Sequence, residues 1–215
     1  MGLGRPGLGD APRDGDGSIG DLSGAGLLAR EHIYSGRIVR LSLDTVCFPD
    51  GEIGEFEIVT HSGASAILPF VDPPNDPDPR IILVHQYRYA AGGLLYEVPA
   101  GMPNSPEESW VSCARRELVE ETGFEANEIR YLSGVLTTPG FTDERIHLFA
   151  ATGLHPRKGD RDPDEFMDVV RPRFSEALEG IRTGEIVDAK SISVLLFVSA
   201  FLDTVWKENR KAPPR

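Results

Sequence analysis

Basic residues are in short supply: 22 Lys and Arg stand against 34 Asp and Glu, a formal charge of −12 with a pI near 4.9. Such a chain lacks the basic patch that holds a nucleic-acid backbone, which argues against nucleic acid as a partner. Anionic small molecules are not excluded, because a bound cation reverses the local field. Cysteine is also scarce. Cys47 and Cys113 are too few for a disulfide framework and are expected as reduced thiols. No run reaches the ~18 apolar residues of a membrane span. The most apolar stretch, Ile192 to Leu202, is too short and reads as a buried helix. The first residues carry no apolar signal core, and Pro6 breaks a myristoylation pattern after Gly2. No membrane partner and a cytoplasmic location are therefore expected. Internal repeats are absent as well.

What remains is 215 residues, one domain with appendages and enough chain to bury a sizeable core. Residues 1–27, rich in glycine and aspartate, read as a disordered leader, with order beginning near Ile33. Residues 28–65 read as an N-terminal antiparallel β subdomain: a strand over Arg37–Val46, a Pro49-Asp50-Gly51 turn, and a returning strand over Phe56–His61. Residues 66–208 form the main domain and 209–215 a flexible tail. Within the main domain, strands are expected at Ser65–Phe70, Arg80–Arg88, Leu94–Val98, Ile129–Leu136, Arg145–Ala151 and Phe166–Val170. A helix over Ser175–Thr183 stops at Gly184, and a longer one begins at the cap Asp188. Strands, helix, strands, then C-terminal helices predict an α/β fold, a mixed sheet sandwiched between helices.

One stretch organises the rest: Ala100 to Phe124, AGMPNSPEESWVSCARRELVEETGF. Ser105-Pro106-Glu107-Glu108 reads as a capping box with Ser105 at the N-cap. Val111, Ala114 and Leu118 supply a buried stripe, and Gly123 stands where a left-handed C-terminal position is expected. Glu117 and Glu121 lie one turn apart on one face, with Glu120 on its flank. Like charges at that spacing, near a helix end that favours cations, call for something positive. Hard divalent cations choose such oxygen ligands. Runs of this kind, taken alone, are common on solvated helix faces. The whole pattern is more specific.

Gly101, Glu108, Arg116, Glu117, Leu118, Glu120, Glu121, Gly123 and Phe124 resemble the Nudix box, with one departure. Six residues, not five, separate Gly101 from Glu108; either the loop absorbs the extra residue, or Glu107 takes the place of Glu108. The flanks Leu83–Tyr89, Tyr96–Gly101 and Thr138–Glu144, with Pro139 sixteen residues beyond Gly123, are similar to the ADP-ribose pyrophosphatase branch. The resemblance implies a Nudix-type α/β/α sandwich and metal-dependent hydrolysis of ADP-ribose to AMP and ribose 5-phosphate. Other nucleoside diphosphate derivatives (GDP-mannose, FAD, dinucleoside polyphosphates) and a non-catalytic ADP-ribose sensor are the alternatives. It implies two or three Mg²⁺, with Mn²⁺ possible as a substitute, on Glu117, Glu120, Glu121 and the Ala100 carbonyl. Arg116 would hold a box carboxylate in place. Arg88 and Glu97 would meet the substrate, with Glu144 a substrate contact or a supporting one. A mobile acidic loop would supply the general base, Glu165 by alignment, with Asp162 or Asp164 as substitutes. Ile38, Phe56 and Glu57 are positional candidates for the adenine site, and a homodimer with exchanged N-terminal strands is implied.

Overall fold

The computed structural model describes residues 24–157, 167–206 and 211–214. The chain divides into two compact units, and the larger carries the Ala100–Phe124 stretch.

The smaller unit runs to His61 and includes Gly140–Asp143. It is an antiparallel meander of β1 (Gly26–Ser35), β2 (Val39–Cys47) and β3 (Ile53–His61), in that order across the sheet. The β2–β3 turn falls at Gly51, whose φ of 87° suits glycine and whose N–H donates to Phe48 O at 3.0 Å. The β1 strand begins at Gly26, well before the ordered start expected near Ile33. All ten of its residues are exposed, so its sequence carries no burial alternation to read. Arg30 of β1 grips the buried Asp44 of β2 through Nε at 2.7 Å and Nη2 at 2.5 Å.

The larger unit holds β4 (Ala64–Pro69), β5 (Leu83–Arg88), β6 (Gly93–Glu97), β7 (Ala100–Gly101), α1 (Trp110–Thr122), β8 (Phe124–Leu136), β9 (Arg145–Pro156), β10 (Met167–Val170), α2 (Phe174–Thr183) and α3 (Ala189–Val205). Its strands form two sheets, ordered β7-β4-β9-β8 and β10-β5-β6. Among the described strands of this unit only β4 and β9 pair in parallel. Every residue of β4 is buried, as expected for a strand covered on both faces. Alternation then sorts the cover. Ala66 and Leu68 of β4, with Leu148 and Ala150 of β9, pack with Val194, Leu195 and Val198 of α3 and Ala177 of α2. Ile67, Phe149 and Ala151 pack with Trp110, Ala114 and Leu118 of α1 on the other face. The result is an α/β/α sandwich with a mixed sheet. No helix among the described residues is long and apolar enough to cross a membrane.

Several boundaries differ from the sequence expectation. The N-cap of α1 is Ser109, which accepts from Ser112 N at 3.2 Å, and not Ser105. Ser105 caps only a single turn, accepting from Glu107 N at 3.3 Å through its side chain. The helix begins where Trp110 can be buried, so the apolar row is Trp110, Ala114, Leu118, and Val111 stands 39% exposed. At the other end Gly123, with φ 75°, donates to Val119 O as expected. Asp188 caps α3 and Gly184 closes α2, both as read. The strand expected from Arg80 starts at Leu83, after isolated bridges at Arg80 and Ile81.

Candidate active site

The carboxylate row of α1 is set by two neighbouring elements. Cys113, Glu117 and Glu121 follow each other at i, i+4 along one line of the helix, and all three are buried. They face β7, where Ala100 N donates to Glu121 Oε2 at 3.2 Å and Gly101 O accepts from Cys113 Sγ at 3.4 Å. Gly101 is required by this approach: a Cβ there would lie 2.0 Å from Glu117 Oε1. Glu120, on the flank, keeps a third of its side-chain surface exposed.

Arg116 sits at the centre of the acids. It reaches Glu108 Oε1 at 3.0 Å, Glu117 Oε1 at 2.7 Å and Glu120 Oε2 at 2.7 Å, and donates to Met102 O at 2.8 Å. Burial alone would lower its pKa, but hydrogen bonds and charge from Glu108, Glu117 and Glu120 raise it well above the ordinary arginine value. Glu108 is thus the glutamate ahead of the helix that pairs with Arg116. The extra residue is absorbed in the preceding loop, which Glu108 Oε2 closes by accepting from Asn104 N at 2.6 Å. The Cys113 thiol is pushed up to about 12, first by burial and then by the Glu117 charge, and is inert as a nucleophile.

Among the described residues no three His, Cys, Asp or Glu side chains form a ready-made cation cluster. Arg116 holds Glu117 and Glu120 at 2.7 Å each. The donor set nevertheless fits a hard divalent cation. Glu108, Glu117, Glu120 and Glu121 against Arg116 leave three formal negative charges, all their donor atoms are oxygens, and the backbone turns closely beneath Glu117 at Gly101.

Beside this row lies a second buried polar group. Glu97, 1% exposed at the end of β6, receives Arg88 Nε at 2.8 Å and Nη2 at 2.9 Å in a bidentate pair. Lys190 Nζ reaches Glu97 Oε2 at 2.5 Å and Asp188 Oδ1 at 3.0 Å. Burial by itself would raise the Glu97 carboxyl, but Arg88 and Lys190 together hold it below the usual range. Arg88 also feels the charge of Glu121, which ties the pair to the carboxylate row. Lys190 went unforeseen in the sequence. A lysine in the first turn of a helix opposes the macrodipole, and that was the one available signal.

Ile38, in the β1–β2 turn, and Phe56 and Glu57 of β3 belong to the smaller unit. Phe56 packs edge-on against Phe48, and strand alternation turns Glu57 to the opposite face, across from Leu43. Glu144 accepts from Thr137 Oγ1 at 2.8 Å and closes the loop ahead of β9. Glu165, with Asp162 and Asp164, lies outside the described residues.

A loop–helix bearing Glu-x₇-Arg-Glu-Leu-x-Glu-Glu on an α/β/α sandwich defines a class of protein, and the comparisons agree. The NUDIX domain family model matches residues 63–209, and the chain belongs to that family. Nudix hydrolases are generally dependent on divalent metal ions. The chain is 36% identical over 182 residues to a methanol dehydrogenase activator of Bacillus methanolicus, covering 84% of this chain and 95% of that one. It is 35% identical over 173 residues to an ADP-ribose pyrophosphatase of Bacillus subtilis (strain 168), covering 80% and 90%. A solved structure described as an ADP compounds hydrolase shares the fold, with a TM-score of 0.73, 23% identity, and coverage of 85% and 96%.

Proposed function

We propose that this protein is a Nudix pyrophosphohydrolase that cleaves the diphosphate of ADP-ribose to AMP and ribose 5-phosphate. The observation that carries the reading is the row Glu117–Glu121 packed under Ala100–Gly101, with Arg116 bracing Glu108, Glu117 and Glu120 and the Arg88–Glu97 pair alongside. The name of the Bacillus subtilis relative supports the substrate.

Glu117, Glu120, Glu121 and the Ala100 carbonyl would hold two or three Mg²⁺, which Mn²⁺ could replace. Bound there, the ions supply neutralisation of the diphosphate and acidification of the attacking water. The chain's own residues do the rest. Arg116 fixes the direction of two ligand carboxylates through its 2.7 Å bonds to Glu117 and Glu120. Arg88, with 41% of its side chain exposed, turns from Glu97 to the anionic substrate, and Glu97 accepts substrate hydroxyls. Glu165 takes the proton from water, with Asp162 or Asp164 as substitutes, and Glu144 contacts the substrate or supports a residue that does. The adenine is received by residues 28–65, at Ile38, Phe56 and Glu57, in a homodimer with exchanged N-terminal strands. Residues 66–208 carry the chemistry. The location is cytoplasmic.

The test is release of AMP or GMP from ADP-ribose, GDP-mannose, FAD, NADH and diadenosine polyphosphates with Mg²⁺. Preferential, metal-dependent cleavage of ADP-ribose is expected. Faster cleavage of another compound would keep the bond chemistry and discard the substrate, and binding of ADP-ribose without turnover would make the protein a sensor.

A further inference from the structure

Glu97 is held by two cations of different character. Arg88 keeps 41% of its side-chain surface exposed, whereas Lys190 keeps 11%. Both donate to the same oxygen, Oε2, Arg88 through Nη2 at 2.9 Å and Lys190 at 2.5 Å. Arg88 is the outward partner and Lys190 the inward one.

Lys190 is also fixed from behind. Its second acceptor, Asp188 Oδ1, belongs to the cap of α3, whose other oxygen takes Ser191 N at 2.9 Å and Ser191 Oγ at 2.6 Å. Ser191 Oγ in turn accepts from Val98 N at 2.8 Å, which bolts the start of α3 to the backbone beside Glu97. That segment continues through Pro99 into Ala100 and Gly101. A lysine at this helix end is unfavourable to the dipole, and its position is explained by Glu97, 93 residues away.

We propose that Lys190 is a positioning residue for Arg88, acting through Glu97: it carries the buried carboxylate's charge when Arg88 turns to the substrate. The inference rests on the substrate-holding role of Arg88 given above. Without Lys190, release of Arg88 would leave Glu97 as an uncompensated buried charge. Arg88 would then stay on Glu97, and the substrate would meet a site whose competent form is rarer. Asp188 is the further charged group facing Lys190, and Glu121 and Asp188 are the further ones acting on Arg88.

The test compares KM and kcat for ADP-ribose in wild type, Lys190→Met, Lys190→Arg and Ser191→Ala. Lys190→Met is expected to raise KM about tenfold, as the competent fraction falls by that factor, with kcat changed less than about twofold. Lys190→Arg should restore KM to within about threefold, because it keeps a donor of the same charge. Ser191→Ala breaks the bolt but not the charge, and should lower Tm with a smaller change of KM than Lys190→Met. In a Glu97→Gln background, where no charge remains to carry, Lys190→Met should no longer move KM. A lowered Tm with unchanged KM in Lys190→Met, or an equal KM rise with and without Glu97, overturns the proposal. Should Lys190→Met not fold, Lys190→Gln makes the same comparison. Wild type that fails on ADP-ribose refutes the proposed substrate and not this inference. KM is then read on whichever panel compound is cleaved or, with no turnover, as the calorimetric Kd for ADP-ribose.

Discussion

Replacing Gly101 by alanine puts one methyl group into the tightest contact of the site. The Cβ would stand 2.0 Å from Glu117 Oε1, 2.3 Å from Cδ and 2.6 Å from Oε2, where ordinary contact begins at 3.4 Å. Gly101 is not among the glycines with positive φ, so backbone strain adds nothing and the collision alone decides the outcome. The atoms in the way are the end of a flexible side chain, and the carboxylate must retreat by more than an ångström. Retreat breaks its 2.7 Å bond from Arg116, a charge-assisted contact worth about 1.5–3 kcal/mol. For a chain of this size that corresponds to a fall in Tm of about 3 to 12 °C. Function should suffer more than folding, since a misplacement of about 1 Å costs on the order of 100-fold in rate. The assay is kcat/KM for ADP-ribose across a Mg²⁺ titration, beside a thermal melt. Expected are a folded protein, a loss of about 100-fold and a higher metal requirement. Wild-type activity and metal dependence in folded Gly101→Ala would refute Glu117 as a ligand. A variant that does not fold would refute the claim that the side chain, and not the backbone, absorbs the collision.

Glu121→Gln keeps the shape of a side chain 2% exposed while removing its charge; activity should fall at least about 100-fold with the melt preserved, and wild-type turnover would sink the ligand assignment. His147 is 1% exposed, stacks on Trp110 at 4.2 Å, and its Nδ1 has no partner among the described residues. Burial first, and the Arg145 charge second, lower its pKa from 6.5 to about 4. A lowered folded-state pKa means stability complete above pH 6.5 and drained as pH falls toward 4, by on the order of 3 kcal/mol. Urea unfolding at pH 7 and pH 4 should show wild type losing about that much more than His147→Phe, and equal losses would deny the histidine any part. Ser109→Ala should cost about 1 kcal/mol as the true cap of α1, and Ser105→Ala distinctly less; the reverse order in chemical denaturation would return the helix start to Ser105.

Features whose causes lie within a few residues were legible in the chain. Gly123 and Gly184 end their helices because only glycine enters the left-handed region cheaply, and Asp188 starts α3 because its side chain reaches the next turn. The box spacing put Glu117 and Glu121 on one face by helical period alone. The order of elements, with the resemblance carried by the box, was enough for the sandwich. Where two local solutions were equally good, the chain could not choose. Ser105 and Ser109 are both competent caps, and burial of Trp110 against Phe149 and Ile67 across the sheet selected the second. The fully exposed β1 had no core side to mark it. Only tertiary structure could decide that Glu108 braces Arg116 despite the longer loop, that Gly101 must stay bare for Glu117, and that Lys190 shares Glu97 with Arg88. Those contacts join residues brought close by β6, β7 and the start of α3. Burial then makes each charge depend on its partner, and no pattern of near neighbours records that dependence.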